Sequence, residues 1–412
     1  MSDNTMMRGF FDGDRLSRFS WLFGAVTMAI VCCCAASRSR ANIYEWTTDG
    51  QGNVIQSSTL CPGGGGVTAA PYVYLIQLNL TQAYLLNANL TDADLYLATL
   101  ANANLTNANL TGANFNYATL TNANFTGADV AGAQFFQASL TQSQLYSTAS
   151  YKADDLHGIV LTMYNLAGWN FAGQNMTGAD LEYSGLVNAN MQNCNLTDAT
   201  LIAAGLINTN LAGANMTNDF FIGATISNVN FTAADLRGAY EFVAGSSTTT
   251  NTILPNGTIQ GLNLGAADPS LVVRNYAYGN YGQTPVPINV TQTASIGPGT
   301  TMQLVLDGNA WGSTISFQAG IPVTLGGNLE LGLAPGVDPS TLVGDSFQLF
   351  NWTGVSPSGQ FQIVNDLSAE GYSWNTSALY TTGDVTLVPE PSTLLLLAVA
   401  VIGLAAHVWR RK

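Results

Sequence analysis

The stretch LANANLTNANLTGANF, residues 100–115, returns Leu or Phe at every fifth position and places Ala two residues before each. The same period runs through every multiple of five from Leu75 to Leu145, all apolar, with Ala in step from Ala83 to Ala138. Few periods constrain a fold more tightly. An α-helix advances about 100° per residue, so successive Leu would sit about 140° apart and share no stripe. A straight strand fails as well, because its faces alternate with period two and an odd period sends successive Leu to opposite sides. The chain must therefore turn within every unit. Inside a unit, Ala and Leu share one face and the residue between them points the other way. Thr, Gly and Asn then fill the corner, as in TNANL, TGANF and TGADV. Stacked turns of this kind form a solenoid with a column of Leu and Phe beside a column of Ala, and backbones paired between turns. One unit cannot bury its own face, so many are required.

Ala103-Asn104-Leu105, Ala128-Asp129-Val130 and Ala179-Asp180-Leu181 carry the unit in clear form. They resemble the A-[DN]-L-x-x unit of the pentapeptide-repeat family. That resemblance implies an all-β fold, a right-handed quadrilateral β-helix with four units per coil. The repeat spans 75–242 with a register slip near 146–155, after which the apolar column resumes at Leu156 and runs to Leu236. A single inserted residue bulging the coil accounts for the slip. Residues 42–74, with Trp46, a turn at Asp49 to Gly52 and the glycines Gly63 to Gly66, are the expected N-terminal cap, since an open solenoid end exposes unpaired strand groups. GSSTTTNT, within 243–252, reads as a linker. Beyond it MQLVLD, STISFQ, NLELGL and SFQLFN alternate between Gly and Pro, so 253–387 is expected to be a second β domain, sandwich-like, with a continued β-solenoid as the alternative.

Both ends have the look of processing segments. Residues 1–41 place Arg8, Arg15 and Arg18 before an uncharged run from Phe19 to Ala36 and then small residues, the order of a secretory signal peptide. Residues 388–412 contain Pro389-Glu390-Pro391, an apolar run from Leu394 to Trp409 and the cluster Arg410, Arg411, Lys412. Sixteen residues of helix span about 24 Å, close to a bilayer core, so a C-terminal transmembrane helix is expected. This tail resembles the PEP-CTERM sorting signal, with Pro389, Glu390 and Pro391 as its motif. The resemblance implies processing by an exosortase, a membrane anchor before processing, and a cell-surface or matrix destination in bacteria that make exopolysaccharide.

From Asn42 to Val388 there are three basic residues, Lys152, Arg237 and Arg274, against 21 acidic ones, so 3 − 21 leaves −18. Phosphate backbones would repel such a body, and no nucleic-acid partner is expected. Of five cysteines, Cys32 to Cys34 fall in the signal segment. Cys61 and Cys194 remain as a possible disulfide, although Cys194 also fits the Ala slot of its repeat as a small apolar residue.

The body holds one histidine, His157, too few for a histidine triad or an H-E-x-x-H zinc site, and the glycine run at 63–66 has no following Lys to make a P-loop. No catalytic residue, metal site or cofactor is expected. The best local cluster is Lys152, Asp154, Asp155 and His157 in YKADDLHG at the slip. Aromatics at Tyr84, Tyr96, Tyr117 and Phe136, and Tyr276, Tyr278 and Tyr281 in NYAYGNY, offer flat rings for stacking on sugars. The residues Asp92, Asp94, Asp129, Asp180 and Asp235 stand at outward positions where Asn substitutes, which reads as solvation. The expected function is thus a non-enzymatic exported surface or matrix protein whose rod acts as spacer or interaction scaffold. Its alternatives are a carbohydrate-active enzyme or sugar-binding protein of the exopolysaccharide layer and, third, an acidic DNA-mimic rod.

Overall fold

The computed structural model describes residues 42–276, 286–366 and 371–390. The expected signal segment and the tail from Pro391 onward, with its expected transmembrane helix, lie outside these, and no helix among the described residues is long and apolar enough to cross a membrane.

The rod is built of 20-residue coils. Parallel bridges join Tyr74 to Asp94, Asp94 to Asn114 and Asn114 to Gln134, each pair 20 residues apart, so four five-residue units close one coil. Each unit is a tight turn. The Ala103 N–H bonds the Leu100 carbonyl at 3.0 Å, and Asn102 between them has φ +57°. Positive φ at the third residue of a four-residue turn is the type II signature. It explains the second residue after each Leu, since Asn and Gly bear the left-handed region most cheaply. The Asn before each Leu also has a task. The Asn104 Oδ1 accepts from the Thr106 N–H at 3.0 Å and from its hydroxyl at 2.6 Å, an Asx turn that locks the next corner. Along one face the amides bond from coil to coil, with Asn190 donating to Asn170, Asn210 to Asn190 and Asn230 to Asn210. Inside, the Ala and Leu columns are buried, and Phe115 stacks on Phe135 of the next coil at 5.3 Å.

One column of bridges runs from Tyr74 through Gln134, Val160 and Phe220 to Tyr240. Its eight steps of about 4.8 Å make it on the order of 38 Å long. The slip lies between Gln134 and Val160, whose separation of 26 residues replaces the usual 20. It is a helical detour, not a one-residue bulge. The helix α1 (Gln142–Ser147) opens on a capping box between Thr141 and Gln144, and α2 (Ala149–Lys152) follows at once, capped by Thr148. Leu145 keeps its place in the core while the helices absorb the extra length.

At the N-terminal end β1 (Tyr44–Thr48) and β2 (Val54–Leu60) form an antiparallel hairpin. It lies on the first coil: the Tyr84 N–H bonds the Tyr44 carbonyl at 2.7 Å, the Trp46 N–H bonds Gln82, and the Trp46 indole reaches the Asn102 carbonyl at 2.7 Å. At the other end, β3 (Gly205–Ile207) and β4 (Thr225–Ser227) pair in parallel on the last coils. The 243–252 segment is not a linker. Thr248 bridges Asn230, Ile253 bridges Asp235, and the Ala233 N–H bonds the Thr250 carbonyl. A run of Ser and Thr suits a free linker and a coil corner alike, so composition alone did not separate them.

Beyond Ile253 the chain changes shape and keeps stacking. Each turn lays down three strands: β5 (Thr258–Ile259), β6 (Leu262–Leu264) and β7 (Ser270–Arg274); β8 (Ile288–Val290), β9 (Ala294–Ile296) and β10 (Thr301–Leu306); β11 (Ile315–Phe317), β12 (Val323–Leu325) and β13 (Asn328–Leu333). Then come β14 (Ser346–Gln348), β15 (Phe350–Asn351), β16 (Ser358–Gly359) and β17 (Gln362–Asp366). Parallel pairing gives three sheets, β5-β8-β11-β15, β6-β9-β12-β16 and β7-β10-β13-β17. The expected sandwich is therefore corrected to the solenoid alternative. Strand alternation reports which face is buried and not which way the neighbouring strand runs, so the same pattern serves both folds. The last strands, β18 (Tyr372–Asn375) and β19 (Asp384–Pro389), form an antiparallel sheet of order β14-β19-β18. It packs Phe347, Trp374, Val385 and Leu387 into the core of this second stack.

Candidate functional site

The residues at the slip are spent on local structure. The Lys152 ammonium caps the Ser147 carbonyl at 2.9 Å, and Asp154 accepts from the Gln174 amide at 2.9 Å. Asp155 lies 2.8 Å from His157 Nδ1 and accepts from Asn175 at 3.0 Å. Burial pushes the Asp155 carboxyl up, but the hydrogen bonds from His157 and Asn175 outweigh it and hold it below the usual range. Asp155 and His157 are both about half exposed, at 46% and 52%, so this is a surface clasp.

Among the aromatic candidates, Tyr276 lies at the junction of the two stacks. It is buried, its hydroxyl donates to Asn218 Oδ1 at 2.7 Å, and both residues line the cleft described below, so its ring is not an exposed stacking platform. Tyr278 and Tyr281 lie outside the described residues. On the rod, Tyr96, Tyr117 and Phe136 form an edge-to-face series with centroids 5.5 and 5.1 Å apart. Tyr117 belongs to a single corner of the stack. The left-handed position there is held in successive coils by Leu97, Tyr117, Gln137, Met163, Tyr183 and Ala203. Backbone bonds from Leu97 to Asn116, Tyr117 to Phe136, Met163 to Glu182 and Tyr183 to Ile202 confirm that they stack. Other corners mostly use Asn, Asp, Gln or Gly at this position. Leu97, Tyr117, Met163 and Tyr183 are 41%, 37%, 51% and 56% exposed, so one edge of the rod accepts backbone strain while showing apolar side chains to solvent.

A polar cluster that the sequence did not announce lies where the two stacks meet. Asp235 and Arg237 flank the last buried Leu of the rod, Leu236, on outward positions that are half-buried at Asn195 and Thr197 and already buried at Asn215 and Thr217 of the preceding coil. Here the outward side is covered. The Arg237 guanidinium is fully buried and pairs with Asp235 at 2.6 Å. It also donates to Ser313 Oγ at 2.7 Å and to the Arg274 carbonyl at 2.9 Å, and it stands 5.2 Å from the Tyr276 ring centroid. Asp235 is thus a structural counter-ion, which corrects its reading as a solvated carboxylate. Burial raises the Tyr276 phenol and neighbouring Arg237 opposes the rise. The one advance sign of this cluster was an Arg in a repeat that otherwise contains none.

Above this clamp is a cleft of about 380 Å³. One wall is the rod, with Asn195, Thr197, Asp198 and Thr217; the other is the end of β7 and the turns after β10 and β13, with Arg274 and Asp307. Two other buried groups stand nearby in the fold or the chain. Asp219 occupies the Ala slot before Phe221, fully buried; its Oδ1 accepts from the Ala199 N–H at 3.0 Å, and its Oδ2 has no partner among the described residues. Burial lifts its carboxyl well above the ordinary value. Cys194 fills another Ala slot, its thiol donating to the Phe171 carbonyl at 2.6 Å and pushed up by burial to about 12. Cys194 and Cys61 are both free and buried, so the possible disulfide is not formed. No group of His, Cys, Asp and Glu able to hold a metal occurs among the described residues.

Comparison with known proteins agrees with this architecture. The family model for pentapeptide repeats matches eight copies, over 72–107, 103–142, 186–218 and 204–240. The PEP-CTERM protein-sorting motif matches 387–412. No curated protein matches the chain. Among solved structures, a pentapeptide repeat protein of the Arabidopsis thaliana thylakoid lumen is 28% identical over 23% of this chain, with a TM-score of 0.20. The chain spans 64% of that protein's length. HetL, a pentapeptide repeat protein involved in heterocyst differentiation regulation in the cyanobacterium Nostoc, is 23% identical over 46% of this chain and 92% of its own, at a TM-score of 0.25. QnrB1, a plasmid-mediated fluoroquinolone resistance protein, is 15% identical over 44% of this chain and 91% of its own, at 0.21. The chain thus carries pentapeptide repeats over 72–142 and 186–240 and a PEP-CTERM sorting motif at 387–412.

Proposed function

We propose that the protein is a non-enzymatic, exported surface or matrix component whose stacked coils serve as a rigid spacer and interaction scaffold. The observation that carries this reading is the corner of Leu97, Tyr117, Met163 and Tyr183. Large apolar residues there replace the Asn and Gly that the turn prefers, at a cost of roughly 1–2 kcal/mol each for the left-handed backbone. Tyr117 gains edge-to-face contacts with Tyr96 and Phe136, but Leu97, Met163 and Tyr183 remain 41%, 51% and 56% exposed at strained positions, so contact with a partner is the economical reason to keep them. The sorting motif supports a route out of the cytoplasm, through an exosortase and a transient C-terminal membrane anchor. The edge-to-face rings of Tyr96, Tyr117 and Phe136 favour sugar binding within an exopolysaccharide layer as the second reading.

The test has two arms. Cells producing the full chain, and a chain ending at Val388, are fractionated and the C-terminal mass is read. The full chain should be found outside the cytoplasm with a trimmed tail; an untrimmed cytoplasmic protein sinks the proposal. In the second arm, Leu97, Tyr117, Met163 and Tyr183 are all changed to Asn. The variant should unfold later than the parent, by up to about 1 kcal/mol per site, and lose retention on the cells' polysaccharide fraction. Unchanged retention would leave a spacer and remove the scaffold.

A further inference from the structure

The cleft at the meeting of the two stacks has an uneven use of its cations. Arg237 is consumed: its donors go to Asp235, Ser313 and the Arg274 carbonyl. Arg274 is fixed through its backbone instead. Its carbonyl accepts from Arg237 and, at 2.8 Å, from Ser313 Oγ, and the next residue is tied by the Asn275 N–H to Val305. The alternation of β7 buries Leu271 and Val273 and turns Arg274 to the outer side, into the cleft. There its guanidinium makes no hydrogen bond or ion pair with any described residue. Five N–H donors on a pinned backbone, half-buried in the cleft and without a protein acceptor among the described residues, are placed to receive an anionic group. Burial already pulls this guanidinium below its usual range, with Asp235 opposing.

The rest of the lining narrows the ligand. Asp198 and Asp307 also face the space, so a second anionic group would be repelled, while hydroxyl donors would be accepted. Asn195, Thr197 and Thr217 add neutral donors and acceptors on the rod wall. Asp198 is held in place by the Asn218 amide at 3.2 Å, and Asn218 by the Tyr276 hydroxyl. The volume of about 380 Å³ lies in the range of small-ligand sites. We propose that this cleft binds a polyhydroxylated carboxylate, an acidic sugar unit, with its carboxylate on Arg274 and its hydroxyls on Asp198, Asp307 and the Asn and Thr wall. The site is separate from the apolar corner and does not depend on it.

Calorimetric titration of the full chain in detergent tests this, with methyl glucuronide, a sugar with a single carboxylate, as the acidic probe and methyl glucoside as the neutral one. Methyl glucuronide should bind, methyl glucoside at least tenfold more weakly, and Arg274→Gln should weaken the acidic probe at least tenfold without moving the thermal midpoint. Arg274→Lys keeps the charge without the fork and should fall between. Absence of binding by the parent, equal binding by Arg274→Gln, or equal affinity for methyl glucoside or inorganic phosphate would each overturn the proposal. The Asn variant of the corner should bind methyl glucuronide as the parent does, so the two readings fail separately.

Discussion

Asp219 is the residue at which the repeat departs furthest from its own logic. Ala in this slot packs one methyl group beside the Leu column, whereas Asp places a carboxyl there with one oxygen unpartnered. Asp219→Ala should stabilise the protein at pH 7 by about 1–3 kcal/mol, because it removes a buried polar group whose hydrogen bonds are incomplete. The Ala199 N–H that would lose Asp219 keeps the Leu196 carbonyl at 2.8 Å. The pH dependence has a definite sign. The folded state keeps the Asp219 proton above 3.8, the ordinary value at which the unfolded chain releases it. Between 3.8 and the raised folded value the native state binds more protons, so this group lowers stability as pH rises. Chemical denaturation from pH 4 to 8 should show that decline in the parent and a shallower one in Asp219→Ala. An equal decline in both would remove Asp219 as its source. Cys194 shows the milder version of the same substitution: a thiol is small and weakly polar, and one carbonyl satisfies it.

At the scale of elements, the junction depends on a buried ion pair. Arg237→Met should cost about 3–5 kcal/mol, since it strands the Asp235 carboxylate in a covered site. Asp235→Asn with Arg237→Met should recover much of that loss, and equilibrium unfolding of the two single variants and the double would measure the coupling. A loss in the double as large as in Arg237→Met would show packing to be the cause. How far such elements could be read in advance depends on whether their chemistry is local. The five-residue turns were legible because every determinant lies within one unit: the Leu, the Ala, the Asx turn and the left-handed corner. The detour of α1 and α2 was visible only as a broken period, because the Thr141 capping box resembles any other Thr-rich corner. The three-sheet stack was legible as strands and not as an arrangement, because pairing direction is a relation between distant segments. The Arg274 cleft was not legible at all. Its walls come from residues far apart in sequence, and nothing in an isolated Arg tells whether its donors are spent.

Among the described residues the body is a succession of coils that changes from four-sided to three-sided near Ile253; the rod's backbone columns end at Thr248 and Ile253, and the Asn251 side chain, bonded to both the N–H and the carbonyl of Asn263, joins its last coil to β6. Stability in such a stack is a sum over neighbouring coils, and an exposed end is its weak point. The β1–β2 hairpin covers that end on the N-terminal side through Tyr44 and Trp46. Trp46→Ala, which removes the indole bond to the Asn102 carbonyl, should loosen the hairpin, lower the unfolding midpoint and promote end-to-end association, detectable by light scattering as species of twice the mass. A monodisperse variant would show that the first coil protects its own edge. At the opposite end, the strand that leads into the sorting motif is β19, the middle strand of its sheet, bonded to β14 on one side and to β18 on the other. A pull applied beyond Glu390 would enter the body through a strand gripped on both flanks. Its bonds would be loaded together in shear instead of peeled one at a time, a mechanical footing suited to a rod held by its tail.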